Sequence, residues 1–227
     1  MPPKPATIPK ETFRFFRALS RNNHKAWMDA NRERYQAEVV QPLRVLFERL
    51  APVALRLNSR FIISGRTGDN FSRINRDIRF AKDKTPYYPH MYLYFAERDG
   101  ATGQFYVGVS ADALTLGFRI YGREKAAPLV KLGRTRGADQ SQWIEKQRRR
   151  LGRRYESYWY STEKGDWTKH SGWPVEPENW KKLQGWIIRR KFTPGAATRP
   201  GLEREILKAF RDTHSLHLFA ASPNWKP

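Results

Sequence analysis

The sequence predicts an α+β fold: N-terminal helices packed on an antiparallel β-meander, followed by a helical and Trp-rich C-terminal part. Three observations predict it. Apolar residues repeat at helical spacing through the first quarter of the chain, three short β-prone segments follow between residues 90 and 121, and helical spacing returns beyond residue 123. A chain of 227 residues with 39 % hydrophobic and 14 % aromatic content can bury roughly 70 % of its unfolded surface, which suffices for a core without disulfides or metals. With no internal repeat or linker in view, a single domain is expected over 1–227. It would comprise a flexible arm at 1–9, a helical part at 10–58, a β-rich part at 61–121, and a mixed, mainly helical part at 123–227.

The arm is proline-rich, and Pro9 is placed to open the first helix, with Glu11 in its first turn where negative charge suits the helix dipole. Phe13, Phe16 and Leu19 carry the apolar face to Ser20. Arg21-Asn22-Asn23 then breaks the helix, and Asn23 is expected to cap the next one, whose apolar face is Trp27, Ala30 and Tyr35. From Glu38 to Asn58 the stripe Val39, Leu43, Leu46, Phe47, Leu50, Val53, Ala54 and Leu57 follows the helical period, with Pro42 and Pro52 each expected either to start a fresh helix or to kink this one, giving two or three pieces. Ser64–Asn70 reads as a turn-rich loop. Strands are expected over 90–98, 104–110 and 114–121, with one face toward the N-terminal helices and reversals at Asp99-Gly100 and Gly103. Residues 123–151 read as helix. The stretch 155–192, which holds five of the eight tryptophans, reads as loop-rich, with a short helix at 177–183 and a strand at 186–192. Residues 201–212 make a last amphipathic helix.

Composition narrows the function classes. There is no cysteine, which removes disulfides, thiolate metal sites and a cysteine nucleophile together and suits a reducing compartment. No apolar run approaches the roughly 20 residues of a membrane span, and the N-terminus lacks the apolar stretch of a signal peptide, so a cytoplasmic protein is expected. Lys and Arg number 43 against 22 Asp and Glu, a formal net charge of +21. Such a chain attracts polyanions over about a Debye length, roughly 8–10 Å.

The segment 73–87, RINRDIRFAKDKTPY, concentrates this charge. Arg73, Arg76, Arg79, Lys82 and Lys84 alternate with Ile74, Ile78 and Phe80, and only Asp77 and Asp83 oppose them. Interleaved apolar residues anchor a backbone and hold charges in place. Guanidinium forks match phosphate and carboxylate. The cluster is thus a candidate anion site, with the aspartates orienting the forks or one of them serving as general base. An Arg/Asp lattice that merely ties a loop to the sheet has the same composition.

The same residues carry a resemblance. Asn22, Asn23 and Trp27 form Asn-Asn-x-x-x-Trp inside the stretch Phe15–Tyr35. Arg76, Asp77, Arg79, Phe80, Lys82, Asp83, Lys84, Thr85, Pro86 and Tyr87 form Arg-Asp-x-Arg-Phe-x-Lys-Asp-Lys-Thr-Pro-Tyr. In both motifs the chain resembles, over nearly its whole length, a bacterial and fungal family catalogued as domain of unknown function 2461. The resemblance implies a small α+β globule and no particular activity.

Other chemistry is thinly represented. His214 and His217 stand three apart with Asp212 nearby, without further ligands in view, so no metal is expected. No nucleophile elbow, Walker loop or dinucleotide fingerprint occurs, and no cofactor is expected. Arg148, Arg149, Arg150, Arg153 and Arg154 precede Tyr155, Tyr158, Trp159 and Tyr160, which reads either as a single-strand platform or as a basic helix end followed by core aromatics; the second reading is preferred. The leading expectation is binding of an anionic ligand, nucleic acid or another phosphate-bearing partner, through Arg73, Arg76, Arg79, Lys82, Lys84 and Tyr87. The alternative is an enzyme acting on a small phosphorylated or carboxylated substrate with Asp77 or Asp83 as acid/base. No membrane partner is expected, and the oligomeric state is left open.

Overall fold

The computed structural model describes residues 7–98, 103–121, 139–163 and 166–221. Helices α1 (Lys10–Arg21), α2 (Lys25–Ala30) and α3 (Arg32–Tyr35) lead into a π-helical segment, Gln36–Val40, and then into α4 (Gln41–Leu57). Strands β1 (His90–Ala96), β2 (Gln104–Ser110) and β3 (Leu114–Tyr121) follow. Beyond them come α5 (Asp139–Leu151), β4 (Glu156–Glu163), β5 (Asp166–Ser171), α6 (Pro177–Lys182), β6 (Gly185–Phe192), α7 (Pro194–Ala197) and α8 (Leu202–Ala221). The fold is α+β, with one six-stranded antiparallel sheet in the order β1-β2-β3-β6-β4-β5. No helix among the described residues is long and apolar enough to cross a membrane.

Several expectations change. The expected arm at 1–9 reaches the described residues only at its end, where Ile8 is fully buried in the core. Pro42 lies in the first turn of α4 as predicted, but the helix runs unbroken through Pro52. The stretch 155–192 is more ordered than its Gly, Pro and Ser content suggests. Residues 156–171 form the β4–β5 hairpin, with Tyr158 opposite Ser171 and Tyr160 opposite Lys169. The last helix runs nine residues beyond Asp212, to Ala221. The part of the predicted 123–151 helix before Asp139, and the Asp99-Gly100 reversal, lie outside the described residues.

The chain forms two compact units. One holds the described residues up to Phe95 with Tyr106–Leu116 and Lys191–Lys208; the other holds those of Ala96–Phe105, Gly117–Arg190 and from Ala209 on. In the first, Phe15 contacts Phe16, Trp27 and Tyr35 at ring-centroid distances of 5.9, 5.5 and 5.7 Å. Phe47 of α4 stacks on Phe95 of β1 at 5.6 Å, and the Tyr35 hydroxyl reaches the Met91 sulfur at 3.7 Å. The 91/93/95 face of β1 therefore packs on the N-terminal helices, as its alternation predicts. The Thr12 hydroxyl donates to the Glu38 carbonyl, so α1 braces the π-helical segment. In the second unit, Phe105 stacks on Phe210 at 5.0 Å, Trp143 on Phe219 at 4.2 Å and Trp159 on His170 at 4.0 Å.

Candidate functional site

The basic segment flanks the edge of the sheet. Asn70 accepts from the Tyr94 amide at 2.8 Å, Ser72 donates to the Tyr92 carbonyl at 2.9 Å, and Phe71 bridges antiparallel to Leu93. Pairing then passes to the residues just before β1. The Arg76 amide donates to Pro86 at 2.9 Å, the Tyr88 amide donates to Ile74 at 2.8 Å, and Asn75 bridges to Tyr87. The backbone thus covers the open edge of β1, which would otherwise present unpaired amides. Residues 77–85 form the loop that closes this ribbon.

Two asparagines hold the ribbon. Asn70, fully buried, donates through Nδ2 to Ile62 at 2.8 Å and Tyr94 at 3.1 Å and accepts from the Gly65 amide at 2.9 Å. Asn23 does not cap α2. That role falls to His24, whose Nδ1 accepts from the Trp27 amide at 3.3 Å. Asn23 instead clamps the base of the loop, donating to the Tyr87 carbonyl at 2.8 Å and accepting from the Tyr87 amide at 3.0 Å. A side chain amide can satisfy both groups of one backbone residue at once, a complementarity that local capping statistics do not reveal.

Within the loop the cations divide into two sets. Arg76 pairs with Asp83 and donates to the Thr85 hydroxyl at 2.6 Å; its guanidinium lies 5.5 Å from the Tyr88 ring centroid. Arg79 grips Asp77 bidentately at 2.6 and 2.9 Å, and Lys84 donates to the carbonyls of Ile78 at 3.0 Å and Arg79 at 3.4 Å. Arg73 and Lys82 are exposed and make no hydrogen bond or ion pair to any described residue. The guanidinium groups differ in exposure: the Arg76 side chain is 17 % exposed, whereas Arg79 and Asp77 remain 76 % and 62 % exposed. An ion pair so open is screened by solvent and contributes little to stability. Tyr87 is buried.

Both aspartates are held ionised. The Thr85 backbone amide, then Arg76 and the Thr85 hydroxyl, bring the Asp83 carboxyl down to about 2. Arg79 likewise holds Asp77 below the usual carboxylate range. A carboxylate stabilised in its charged form is a weak base, and these two serve as internal counterions that shape the loop.

The sequence predicts that Phe80, with Ile74 and Ile78, anchors the backbone; Ile74 is buried, but Phe80 is not, and the aromatic row beside it has no counterpart in that reading. Phe80, at the loop, is 95 % exposed, with the Arg79 guanidinium carbon 6.0 Å from its ring centroid. A row of rings begins beside the loop on the outer face of β1. Tyr88 lies 5.3 Å from His90, His90 lies 5.1 Å from Tyr92, and Tyr92 lies 5.9 Å from Tyr106. Gly108 makes room for the row, because a Cβ there would come within 2.4 Å of the Tyr92 ring. The alternation of Tyr88, His90, Tyr92 and Tyr94 with Met91, Leu93 and Phe95 was the available signal.

The remaining candidates resolve into structure. His217 is buried, 5.5 Å from Phe105, with His214 stacked 6.2 Å away. Asp212 accepts from the Tyr155 hydroxyl at 2.8 Å and pairs with Arg154 at 3.1 Å. Among the described residues no group of three or more His, Cys, Asp or Glu is placed to hold a metal. Arg148 and Arg149 both bind Glu145, and Arg150 reaches Gln147, Ser215 and the Asp212 carbonyl. Tyr155 and Trp159 are buried, whereas Tyr158 and Tyr160 are half-buried, with Lys169 4.3 Å and Arg189 4.9 Å from the Tyr158 ring centroid, so only part of the aromatic run lies in the core.

A family model described as "Conserved hypothetical protein (DUF2461)" matches residues 11–219. That span includes Asn23, the whole of 73–87 and the ring row. No curated protein matches the chain.

Proposed function

The chain belongs to this family of conserved hypothetical proteins (DUF2461), and from the geometry of its basic loop we propose that it binds a phosphate-bearing polyanion there. The observation that carries this reading is the division among the cations. Arg76 and Lys84 are committed to ordering the loop, whereas Arg73 and Lys82 stand exposed without partners among the described residues and Arg79 is held by an open ion pair. An ordered loop presenting unneutralised cations loses little entropy when an anion arrives, which is the advantage of preorganisation. Tyr87 acts by position, through the backbone clamp of Asn23. The low-lying carboxyls of Asp77 and Asp83 favour binding over acid/base chemistry.

The test is a salt titration of fluorescently labelled DNA binding, with heparin as competitor. The apparent constant should fall steeply with salt. Arg73→Ala with Lys82→Ala should flatten the dependence of log K on log salt by roughly 1.4–1.8, since each phosphate contact contributes about 0.7–0.9. The reading fails if neither DNA nor heparin binds at low salt, or if the double variant binds with an unchanged slope.

A further inference from the structure

We infer that the polyanion is a single-stranded nucleic acid, one of whose bases stacks on Phe80 while its phosphates meet Arg73 and Lys82. This rests on the anion-binding reading above and adds what the rings imply. Phosphate recognition alone requires cations and amides. It gives no reason for a phenyl ring 95 % exposed on the same loop, between Arg79 and Lys82. In a duplex the bases are already stacked on one another, so a ring must first part them; in a single strand every base offers a face to it, whatever the sequence. Arg79 lies 6.0 Å from the Phe80 ring centroid, and a guanidinium beside a stacked ring adds a cation–π contribution. The row from Tyr88 through His90 and Tyr92, with centroids 5.3 and 5.1 Å apart, extends the aromatic surface from the base of the loop along β1. Tyr88 is itself 38 % exposed, with Arg76 beside it at 5.5 Å.

An anionic membrane is the other surface that a basic loop with a protruding Phe could meet. The loop argues against it: Phe80 is its one fully projecting apolar side chain, with Ile78 and Ala81 half-buried. Stable interfacial binding needs a broad apolar face.

The test uses the full chain with a labelled homothymidine 12-mer, the corresponding duplex, heparin, and vesicles of phosphatidylcholine with phosphatidylserine. The single strand should bind more tightly than the duplex. Phe80→Ala should weaken single-strand binding roughly 5- to 100-fold, the range that alanine substitution of a stacking ring produces. It should leave heparin binding, the salt slope and the melting temperature unchanged, because the ring is uncharged and touches little of the core. Tyr88→Ala should weaken the single strand by a smaller factor. Heparin and duplex binding with no response to Phe80→Ala would overturn this inference while leaving the anion-binding reading intact. Vesicle binding that depends on Phe80, with single-strand binding that does not, would overturn it in favour of a membrane. Failure of every polyanion to bind would remove both.

Discussion

Replacing Asn23 by Ala isolates the contact that ties the loop to the N-terminal helices. The side chain makes two hydrogen bonds to Tyr87, at 2.8 and 3.0 Å, across 64 residues of sequence. Each such bond contributes about 0.5–1.5 kcal/mol net, and a partly buried donor and acceptor on Tyr87 would be left to find water. The expected loss is therefore about 2 kcal/mol. For a chain of this length each kcal/mol moves the melting temperature by roughly 2–4 °C, so a fall of about 4–8 °C is expected. Urea titration should show a lower midpoint with an unchanged slope, and hydrogen exchange at the Tyr87 amide should accelerate. Asn23→Ser sharpens the test. Serine is as good a helix cap as asparagine, so it would rescue stability if Asn23 were a cap, yet its hydroxyl cannot span both groups of Tyr87. A loss below about 0.5 kcal/mol for Asn23→Ala, or full rescue by serine, would refute the clamp.

Two further expectations concern other parts of the chain. Gly117 has φ +152° and an added Cβ would fall 2.1 Å from the Ile188 carbonyl oxygen. Gly117→Ala should therefore force β3 and β6 apart and cost about 3 kcal/mol or more, measured by chemical denaturation; a near-neutral result would contradict the close approach. Asp83, with its carboxyl at about 2 against an ordinary value near 3.9, contributes order to the loop above about pH 4, and that order should be lost as pH falls toward 2. Carboxyl chemical shifts read by NMR would check this, and a midpoint at the ordinary value would show that Thr85 and Arg76 do not hold it.

Much of the fold was legible because its signals are local. The alternation of Phe105, Val107 and Val109 with Tyr106 and Gly108 placed β2 at 104–110, as observed, since a pleated strand turns successive side chains to opposite faces. The β4–β5 hairpin was hidden because Gly, Pro and Ser suggest loop, while the partners that make it a hairpin, such as Tyr160 and Lys169, are fixed only by pairing across strands. The Arg/Lys segment was equally legible as chemistry, but composition cannot divide its members. Arg76 and Arg73 are the same residue type three positions apart, and one is bound by Asp83 while the other has no partner among the described residues.

The sequence by itself determined the fold class, the strands of the meander, the family and the concentration of cations at 73–87, because each depends on residue identities and spacings within a few turns of chain. Tertiary structure alone decided that Asn23 clamps Tyr87, that Phe80 projects into solvent, and which cations are engaged by the chain's own carboxylates and carbonyls. Hydrogen bonds and ion pairs are satisfied by whatever the folded chain brings within about 3 Å, and for these groups that distance bears no relation to their separation in sequence.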